Sequence, residues 1–303
     1  MIPEILCVGE SLTDVLPSGQ ERCGGAPANA AFHAAVLQPG NVALVSRIGD
    51  DARGGEIRAK LQSAGVVPDW LQVDLTKPTG TVQVSLRDGV PTYQIDIPAA
   101  WDFIESSEMI SRAADNASVV VFGTLAQRCP VSRGTIRSLV ERSRASGAVA
   151  IADLNLRAPF IDEEVVVWTL RHCDLLKLNR EELVMVSGML GARGDDEALF
   201  AGLVREFALP RAVLTCGAEG AWFFDNGCRW HQPAIAAAVV DTVGAGDAFT
   251  AVLAAALAAN IPLAQAAPAA AELASYVVSQ PGAMPAWPEG LREKIRKMLD
   301  APA

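Results

Sequence analysis

The sequence of 303 residues predicts an α/β fold in which a mostly parallel sheet is covered by helices on both faces. Two patterns lead to this prediction. Short apolar runs alternate with helix-like segments along most of the chain, which is typical of parallel strands buried between helices. One stretch with period-two patterning breaks the alternation and predicts a separate small β structure.

The predicted elements follow one another in alternating order. Ile5–Gly9 predicts a buried strand, and Pro27–Leu37 predicts a helix with proline near its first position, where it is well tolerated. Val42–Ile48 predicts the next strand, and Gly55–Ala64 a helix that Gly65 ends. Five more segments continue the alternation: Val119–Gly123, Ile136–Ser146, Ala148–Asp153, Val165–His172 and Leu175–Leu178.

The stretch that breaks the alternation is Thr81–Arg87 followed by Thr92–Pro98. Around a turn containing Asp88-Gly89, apolar and polar residues alternate, so we predict a β-hairpin with one apolar face. That face comprises Val82, Val84, Leu86, Tyr93, Ile95 and Ile97. Because a lone hairpin is only marginally stable, it must pack on something. It either packs on the main core or forms a lid that closes over a ligand or pairs with a second subunit.

Composition restricts the class of function. The formal net charge of −10 argues against a nucleic-acid-binding protein, which neutralises phosphates with lysine and arginine. The six cysteines contain no Cys-x-x-Cys pair and the three histidines have no metal spacing, so we expect free, buried cysteines in a reducing cytosol. The N-terminal segment lacks a basic region, and the apolar tract from Ala248 is too short to span a membrane. We expect a cytoplasmic protein without nucleic-acid or membrane partners.

The segment Val239–Phe249, VVDTVGAGDAF, carries the strongest chemical signal. Gly244 and Gly246 precede a long alanine-rich helix, and small residues there let backbone N–H groups converge on an anion at the helix N-terminus. Asp247 follows at the mouth of the helix. A carboxylate beside a phosphate site suits a base that takes a proton from a hydroxyl about to attack phosphorus. The alternative, that Asp247 only stabilises the first helical turn, stays open on this pattern alone.

The segment Asp241–Asp247 resembles the D-T-x-G-A-G-D signature of the ribokinase-like (PfkB) carbohydrate kinases. The resemblance implies that Asp247 is the catalytic base. It also implies an anion hole for the transferring phosphate, formed by the amides of Gly244, Ala245 and Gly246. A second segment, Gly24–Ala31, resembles the N-terminal sugar-binding signature G-G-x-x-x-N-x-A of the same family.

Further residues take their roles from the resemblance. Sugar contacts are implied for Asp14, Gly24, Gly25, Asn29 and Arg157. Nucleotide contacts are implied for Asn179, Thr215, Gly217 and Gly220, the last three in a T-x-G-x-x-G turn. The N-x-x-E motif Asn179–Glu182 implies that Glu182 holds magnesium through water, although Glu182 taken alone would be an exposed helical residue. Arg47–Asp51 resembles the R-x-G-x-D segment of the family.

The resemblance covers nearly the whole chain, from about Ile5 to the last helix. It implies a ribokinase-like three-layer sandwich, with residues 1–303 as a single domain and a small β lid contributed by about 12–18 and 80–98. ATP and Mg²⁺ are the implied cofactors and a small sugar the implied substrate. The resemblance leaves open a monovalent cation such as K⁺ and a homodimer formed through the lid.

Competing nucleotide motifs are missing from the sequence. It has no G-x-x-x-x-G-K-[ST] loop, and Phe249 occupies the third glycine position of a G-x-G-x-x-G motif. Within the family, bacterial fructokinases fit best, because Asp153–Arg157 resembles their D-P-N-x-R segment with Leu154 in place of proline. Arg157 either clamps the sugar or a phosphate or forms a surface ion pair. Trp101 either stacks on a sugar face or packs in the core.

Three functions remain open from the sequence. The first is a fructokinase that phosphorylates a primary hydroxyl. The second is a kinase of another small substrate, such as ribose or 2-keto-3-deoxygluconate. The third is a catalytically silent ligand sensor on the same scaffold, against which the intact Asp247 and its glycines argue.

Overall fold

The computed structural model describes residues 3–87 and 90–300, apart from the side chains of residues 86–93. The strands of this part form two separate sheets. In chain order they are β1 (Ile5–Val8), β2 (Leu12–Val15), β3 (Glu21–Gly24), β4 (Val42–Gly49), β5 (Leu71–Asp74), β6 (Gly80–Arg87), β7 (Val90–Ile95), β8 (Val119–Phe122), β9 (Val149–Asp153), β10 (Leu175–Asn179), β11 (Arg211–Thr215), β12 (Ala221–Asp225) and β13 (Cys228–Gln232).

The larger sheet has nine strands in the order β13-β12-β11-β10-β9-β8-β1-β4-β5. Neighbouring strands from β11 to β5 are parallel, whereas the pairs β11–β12 and β12–β13 at one edge are antiparallel. Successive side chains of a strand point to opposite faces. Ile5 and Cys7 therefore belong to the core on one face, and Leu6 and Val8 to the core on the other. The apolar runs in the sequence reflect this burial on both sides.

Helices form the two outer layers. They are α1 (Ala26–Leu37), α2 (Ala52–Ala64), α3 (Glu108–Asn116), α4 (Pro130–Ala145), α5 (Glu163–Arg171), α6 (Arg180–Met189), α7 (Asp196–Glu206), α8 (Ala245–Ala258), α9 (Leu263–Val278) and α10 (Leu291–Asp300). Helices α1, α2 and α8–α10 supply the first core, and α3–α7 the second. The predicted three-layer α/β class is confirmed, and the alanine-rich tract forms the buried helix α8. Within residues 3–87 and 90–300, none of the helices has the length and apolar character needed to cross a bilayer.

The second, smaller sheet has four strands in the order β3-β2-β6-β7. Strands β6 and β7 form the predicted hairpin, in which Val82 pairs with Ile95, and both side chains are buried. The prediction was wrong for Ile97, which is 65 % exposed because β7 and its alternation end at Ile95. The side chains of Leu86 and Tyr93, and the turn residues Asp88 and Gly89, lie outside the described residues.

Two helices begin three or more residues earlier than the apolar pattern indicates. Helix α2 begins at Ala52 because the Asp51 carboxylate accepts a hydrogen bond of 2.8 Å from the amide of Gly54 and caps the first turn. Helix α4 begins at Pro130, a residue that suits a first helical position. A polar cap sets the first start and a proline the second, and neither carries an apolar signal.

The cysteines are free, as expected, but not all are buried. Cys7, Cys173 and Cys216 lie in the cores, whereas Cys228 is exposed, so the expectation of burial was wrong there. Cys228 begins the edge strand β13, where the sheet has no further neighbour. In the described part of the chain, no three His, Cys, Asp or Glu side chains converge as a ready-made metal site.

Candidate active site

A cleft of about 550 Å³ lies between the small sheet and the carboxyl ends of β1, β9 and β10. Ligands of open parallel sheets bind at this end of the strands. Leu12, Val82, Val84 and Ile95 form the apolar wall on the side of the small sheet. A larger groove of about 760 Å³ runs between α7 and the edge of the main sheet, but no carboxylate lines it. The ionisable groups converge in the first cleft, which is therefore the candidate site.

Asp247 lies in the first turn of α8 and lines this cleft. Its Oδ2 accepts a hydrogen bond of 2.7 Å from the side-chain amide of Asn29 on α1. Burial, followed by the negative charge of Asp153, raises the pKa of the Asp247 carboxyl to about 6, while Lys177 opposes this rise. A carboxylate with a raised pKa at the wall of a cleft is suited to accept a proton near neutral pH.

The Gly244–Gly246 loop makes a close turn into α8. Gly244 has φ +82°, and a Cβ added there would lie 2.4 Å from the Cβ of Ala283. A Cβ on Gly246 would lie 2.7 Å from Nζ of Lys177. Neither position has room for a side chain. The first amides of a helix have no partner within the helix, and the helix dipole favours negative charge there. The loop can therefore bind an anion beside Asp247.

His33 supports this loop from behind. The indole N–H of Trp287 donates to Nδ1 of His33 over 3.0 Å, so the proton is on Nε2, which donates to the carbonyl of Ala283 over 2.8 Å. Burial lowers the pKa of His33 to about 4, so the ring is neutral at physiological pH. Helix α1 thus holds both Asp247, through Asn29, and the segment against which Gly244 packs.

The predicted sugar-binding segment lines the same cleft as the Gly244–Gly246 loop. Gly25 has φ +101°, and a Cβ there would lie 2.6 Å from the carbonyl oxygen of Glu10. A Cβ on Gly24 would lie 2.7 Å from Oδ2 of Asp14. Both glycines therefore allow strands and side chains to approach closely. Burial raises the pKa of Asp14 to about 6 and that of Glu10 to about 7.

Two buried polar atoms in this region have no hydrogen-bond partner in the described part of the chain: Oε2 of Glu10 and Oδ1 of Asn29. Both residues line the cleft and are 3 % exposed. Buried polar atoms are rarely left unpaired, because each one costs about 1–3 kcal/mol. This arrangement fits a ligand that carries several hydroxyl groups.

Arg157 lies at the open side of the cleft. It forms no ion pair with any side chain that the structure describes, so a surface ion pair receives no support. Its positive charge instead lowers the pKa values of Asp14, Glu10 and Asp247. Trp101, by contrast, is fully buried beneath the guanidinium of Arg128 at 3.8 Å and cannot stack on a sugar.

Asn179 and Glu182 form a capping box at the start of α6. Oε2 of Glu182 accepts the amide of Asn179 and Oε1 accepts the amide of Leu156, both at 2.8 Å. Glu182 is 5 % exposed, so the interpretation as an exposed helical residue was wrong. Burial raises the pKa of its carboxyl, which Lys177 opposes. Both residues line the cleft.

Three of the predicted nucleotide residues lie beside the cleft and not in its lining. Thr215 ends β11 and pairs with Asn179 across the sheet, while Gly217 and Gly220 form the following turn. Gly220 has φ +101°, and a Cβ there would lie 2.1 Å from the carbonyl oxygen of Gln232. The turn therefore needs glycine for its own geometry.

Sequence reasoning missed several residues of the cleft. Glu10 received no role, and neither did Lys177, which pairs with Asp153 at 2.9 Å. A signal was available for Lys177, because it is the one charged residue in the apolar strand LLKLN. Asp241, the first residue of its motif, is bound to the small sheet, because Nη1 of Arg22 donates a hydrogen bond of 2.9 Å to its Oδ2.

The chain is similar to a known family over most of its length. The family model for pfkB family carbohydrate kinases matches residues 5–290. The chain is 32 % identical over 274 residues to a fructokinase of Klebsiella pneumoniae, covering 85 % of each protein.

Two solved structures share its fold. One is a fructokinase with bound ATP from Xylella fastidiosa, with a TM-score of 0.86 and 24 % identity over 97 % of this chain and 98 % of the other. The other is an aminoimidazole riboside kinase from Salmonella enterica, complexed with aminoimidazole riboside and an ATP analogue. Its TM-score is 0.82 and its identity 23 %, over 98 % of this chain and 99 % of the other.

Proposed function

Since the chain belongs to the pfkB family of carbohydrate kinases, we propose that it transfers the γ-phosphoryl group of ATP to a primary hydroxyl of fructose. The observation that carries this proposal is the position of Asp247. A buried carboxylate with a raised pKa lies in the first turn of α8, directly after two glycines, at a helix start that no side chain caps. A base and an anion site next to each other are what attack of a hydroxyl on phosphorus requires.

In the proposed reaction Asp247 takes the proton of the attacking hydroxyl, and Asn29 holds the carboxylate in place through its hydrogen bond. Amides of Gly244, Ala245 and Gly246 stabilise the charge on the transferring group. Asp14, the unpaired oxygen of Glu10 and the unpaired oxygen of Asn29 orient the sugar by its other hydroxyls. The apolar wall of the small sheet excludes water, which would otherwise compete as acceptor.

The residues present fit a nucleotide and Mg²⁺. The start of α8 at Gly244–Gly246 has no side-chain cap, and the first amides of a helix have no helical partner, so this loop suits phosphate oxygens. Glu182 and Asn179 lie next to it, and each Glu182 oxygen keeps one lone pair beyond its amide bond. When bound, Mg²⁺ neutralises phosphate charge and keeps several of its waters, so one carboxylate suffices as protein partner. We propose that Thr215, Gly217 and Gly220 contact the rest of the nucleotide, and dependence on K⁺ stays a prediction.

Sugar identity is tested by ADP release across a panel of fructose, ribose, 2-keto-3-deoxygluconate and aminoimidazole riboside. We expect the highest kcat/KM with fructose, and a product with phosphate on a primary hydroxyl by ³¹P NMR. The fructokinase relative and the Asp153–Arg157 segment at the cleft motivate this choice. A clear preference for another member would reject fructose but keep the kinase. Binding of sugars, seen as thermal stabilisation without any ADP release, would instead indicate a silent sensor.

Replacing Glu182 with glutamine should raise the Mg²⁺ concentration needed for half-maximal activity more than it raises the KM for the sugar. The amide cannot accept both backbone N–H groups, so we also expect a loss of about 1–3 kcal/mol in the free energy of unfolding. The exposed neighbour Glu181→Gln is the matched control, with both quantities unchanged. An unaltered Mg²⁺ titration in a destabilised Glu182→Gln variant would restrict Glu182 to its capping role.

We propose that the small sheet is the lid of the site. Its apolar side chains Val82 and Ile95 already form a wall of the cleft. The homodimer through this sheet stays a prediction.

A further inference from the structure

Lys177 is a buried cation in the lining of the cleft. It belongs to β10, directly beside Asp153 at the end of β9. Its Nζ donates to both carboxylate oxygens of Asp153, at 3.0 and 2.9 Å, and the side chains of both residues are 8 % exposed. A buried ion pair contributes little to stability compared with apolar residues of similar volume. A charged pair inside an apolar strand layer therefore calls for a functional explanation.

This ion pair is in contact with the anion-binding loop. A Cβ on Gly246 would lie 2.7 Å from Nζ of Lys177, so the ammonium packs against the backbone of the loop. A second contact comes from Thr250 on α8, whose Oγ1 lies 2.8 Å from Oδ2 of Asp153 and 3.1 Å from the carbonyl oxygen of Gly246. The lysine and its partner are thus fixed to the helix turn that carries Asp247.

The charges around Lys177 hold it in the protonated form. Burial opposes its charge, but Asp153, Glu182 and Asp247 together raise its pKa. The same ammonium lowers the pKa of Asp247 against the effects of burial and of Asp153. The charged groups that interact with Asp247 come from β9, β10, the loops after β1 and β9, and the small sheet: Asp153, Lys177, Glu10, Arg157 and Asp14.

We propose that Lys177 is a positioning residue for phosphoryl transfer, a fixed positive charge that Asp153 holds between the base Asp247 and the Gly244–Gly246 loop. This inference rests on the proposed role of Asp247 as base. Without the ammonium, no positive charge on β10 offsets the negative charge of Asp153 beside Asp247. Asp247 then keeps its proton up to a higher pH, and over that range it cannot accept a proton from the sugar.

The test is the pH profile of kcat/KM for the accepted sugar, at saturating MgATP and under identical conditions for all variants. Lys177→Met removes the charge and keeps much of the volume. We expect its acid limb to move to higher pH by on the order of one unit, because the lysine charge lowers the pKa of Asp247 and a neighbouring opposite charge shifts a carboxyl by about 1–3 units. At pH 6 the variant should then lose about 5-fold in kcat/KM, and about 10-fold at pH 5 and below, with almost no loss above pH 8.

Asp153→Asn should move the acid limb of kcat/KM in the opposite direction. It also tests the proposal if Lys177→Met does not fold. It removes the negative charge that raises the pKa of Asp247 and leaves the lysine in place, so the acid limb should move to lower pH. Lys294→Met, at a side chain that is 56 % exposed on α10, is the matched control with an unmoved limb. Damage to the fold alone would lower kcat/KM in both variants, but it would not move the acid limb of Lys177→Met to higher pH and that of Asp153→Asn to lower pH.

The outcomes separate this inference from the proposed function. Absence of phosphoryl transfer in the wild-type enzyme, or an active Asp247→Asn variant, would overturn the function and this inference with it. The role of Lys177 alone would be overturned by a different set of results. In that case the wild type is active and Asp247→Asn is inactive, but the acid limb does not move in Asp153→Asn or in any folded Lys177→Met.

Discussion

Replacing Asp247 with asparagine is expected to lower kcat by about 10²–10⁴-fold, the usual contribution of a general base. The amide has the shape of the carboxylate and can still accept the hydrogen bond from Asn29, which is 2.7 Å long in the wild type. Only the ability to take a proton is lost. Steady-state ADP release measures the rate, and thermal stabilisation by sugar and by nucleotide shows whether binding is retained.

The pH dependence gives the same prediction an independent measurement. The base acts in its ionised form, and its pKa is raised to about 6. Wild-type kcat/KM should therefore fall as the pH drops through about 6, and residual activity of Asp247→Asn should lack this limb. Asp69→Asn, at an exposed position, serves as the control with a normal profile. An Asp247→Asn variant within a few-fold of the wild-type kcat would refute the assignment of the base.

Replacing Gly244 with alanine is expected to abolish most activity and to weaken the fold as well. The left-handed conformation costs an alanine about 1–2 kcal/mol. Its Cβ would also lie 2.4 Å from that of Ala283, so the loop or the Ala283 segment has to move. Displaced amides no longer stabilise the transferring group, and loss of one such donor costs about 10²–10³-fold in kcat.

Gly227→Ala separates the two effects. Gly227 has φ +91°, and a Cβ there would meet nothing within 4 Å, in a hairpin turn far from the cleft. Urea denaturation should show the conformational cost alone in Gly227→Ala and a larger loss in Gly244→Ala, whereas kcat should fall only in Gly244→Ala. Equal kcat in the two variants would mean that the loop geometry does not matter for transfer.

Local patterns predicted the layers of this fold well, because strands buried on both faces and helices with buried stripes leave clear apolar periodicity. The starts of α2 and α4 escaped this reasoning, since Asp51 and Pro130 fix them by capping and by backbone geometry. Ile97 escaped it for another reason. The alternation continues in the sequence past Ile95, but the strand does not.

Residues of the candidate site could be predicted only where they belong to a segment that resembles a family signature. Asp247 and Asn29 come from two such segments, and the structure shows them hydrogen-bonded. Glu10 has no local pattern, because its importance lies in an unpaired oxygen that only the folded chain reveals. Glu182, taken without its motif, was predicted to be an exposed helical residue, but it is buried. The capping box holds its carboxylate inside the protein, and a buried capping residue leaves no apolar periodicity in the sequence.

The contacts around the base join distant parts of the chain. The bond between Asn29 and Asp247 spans 218 residues, and the bond between His33 and Trp287 spans 254. A nascent chain that has emerged only as far as β13 already contains every strand of both sheets, but it lacks the base, the anion loop and the helices α8 and α9 that cover one apolar face. We expect such a chain to be inactive and, because it exposes core residues of this face, to be prone to aggregation until synthesis supplies α8.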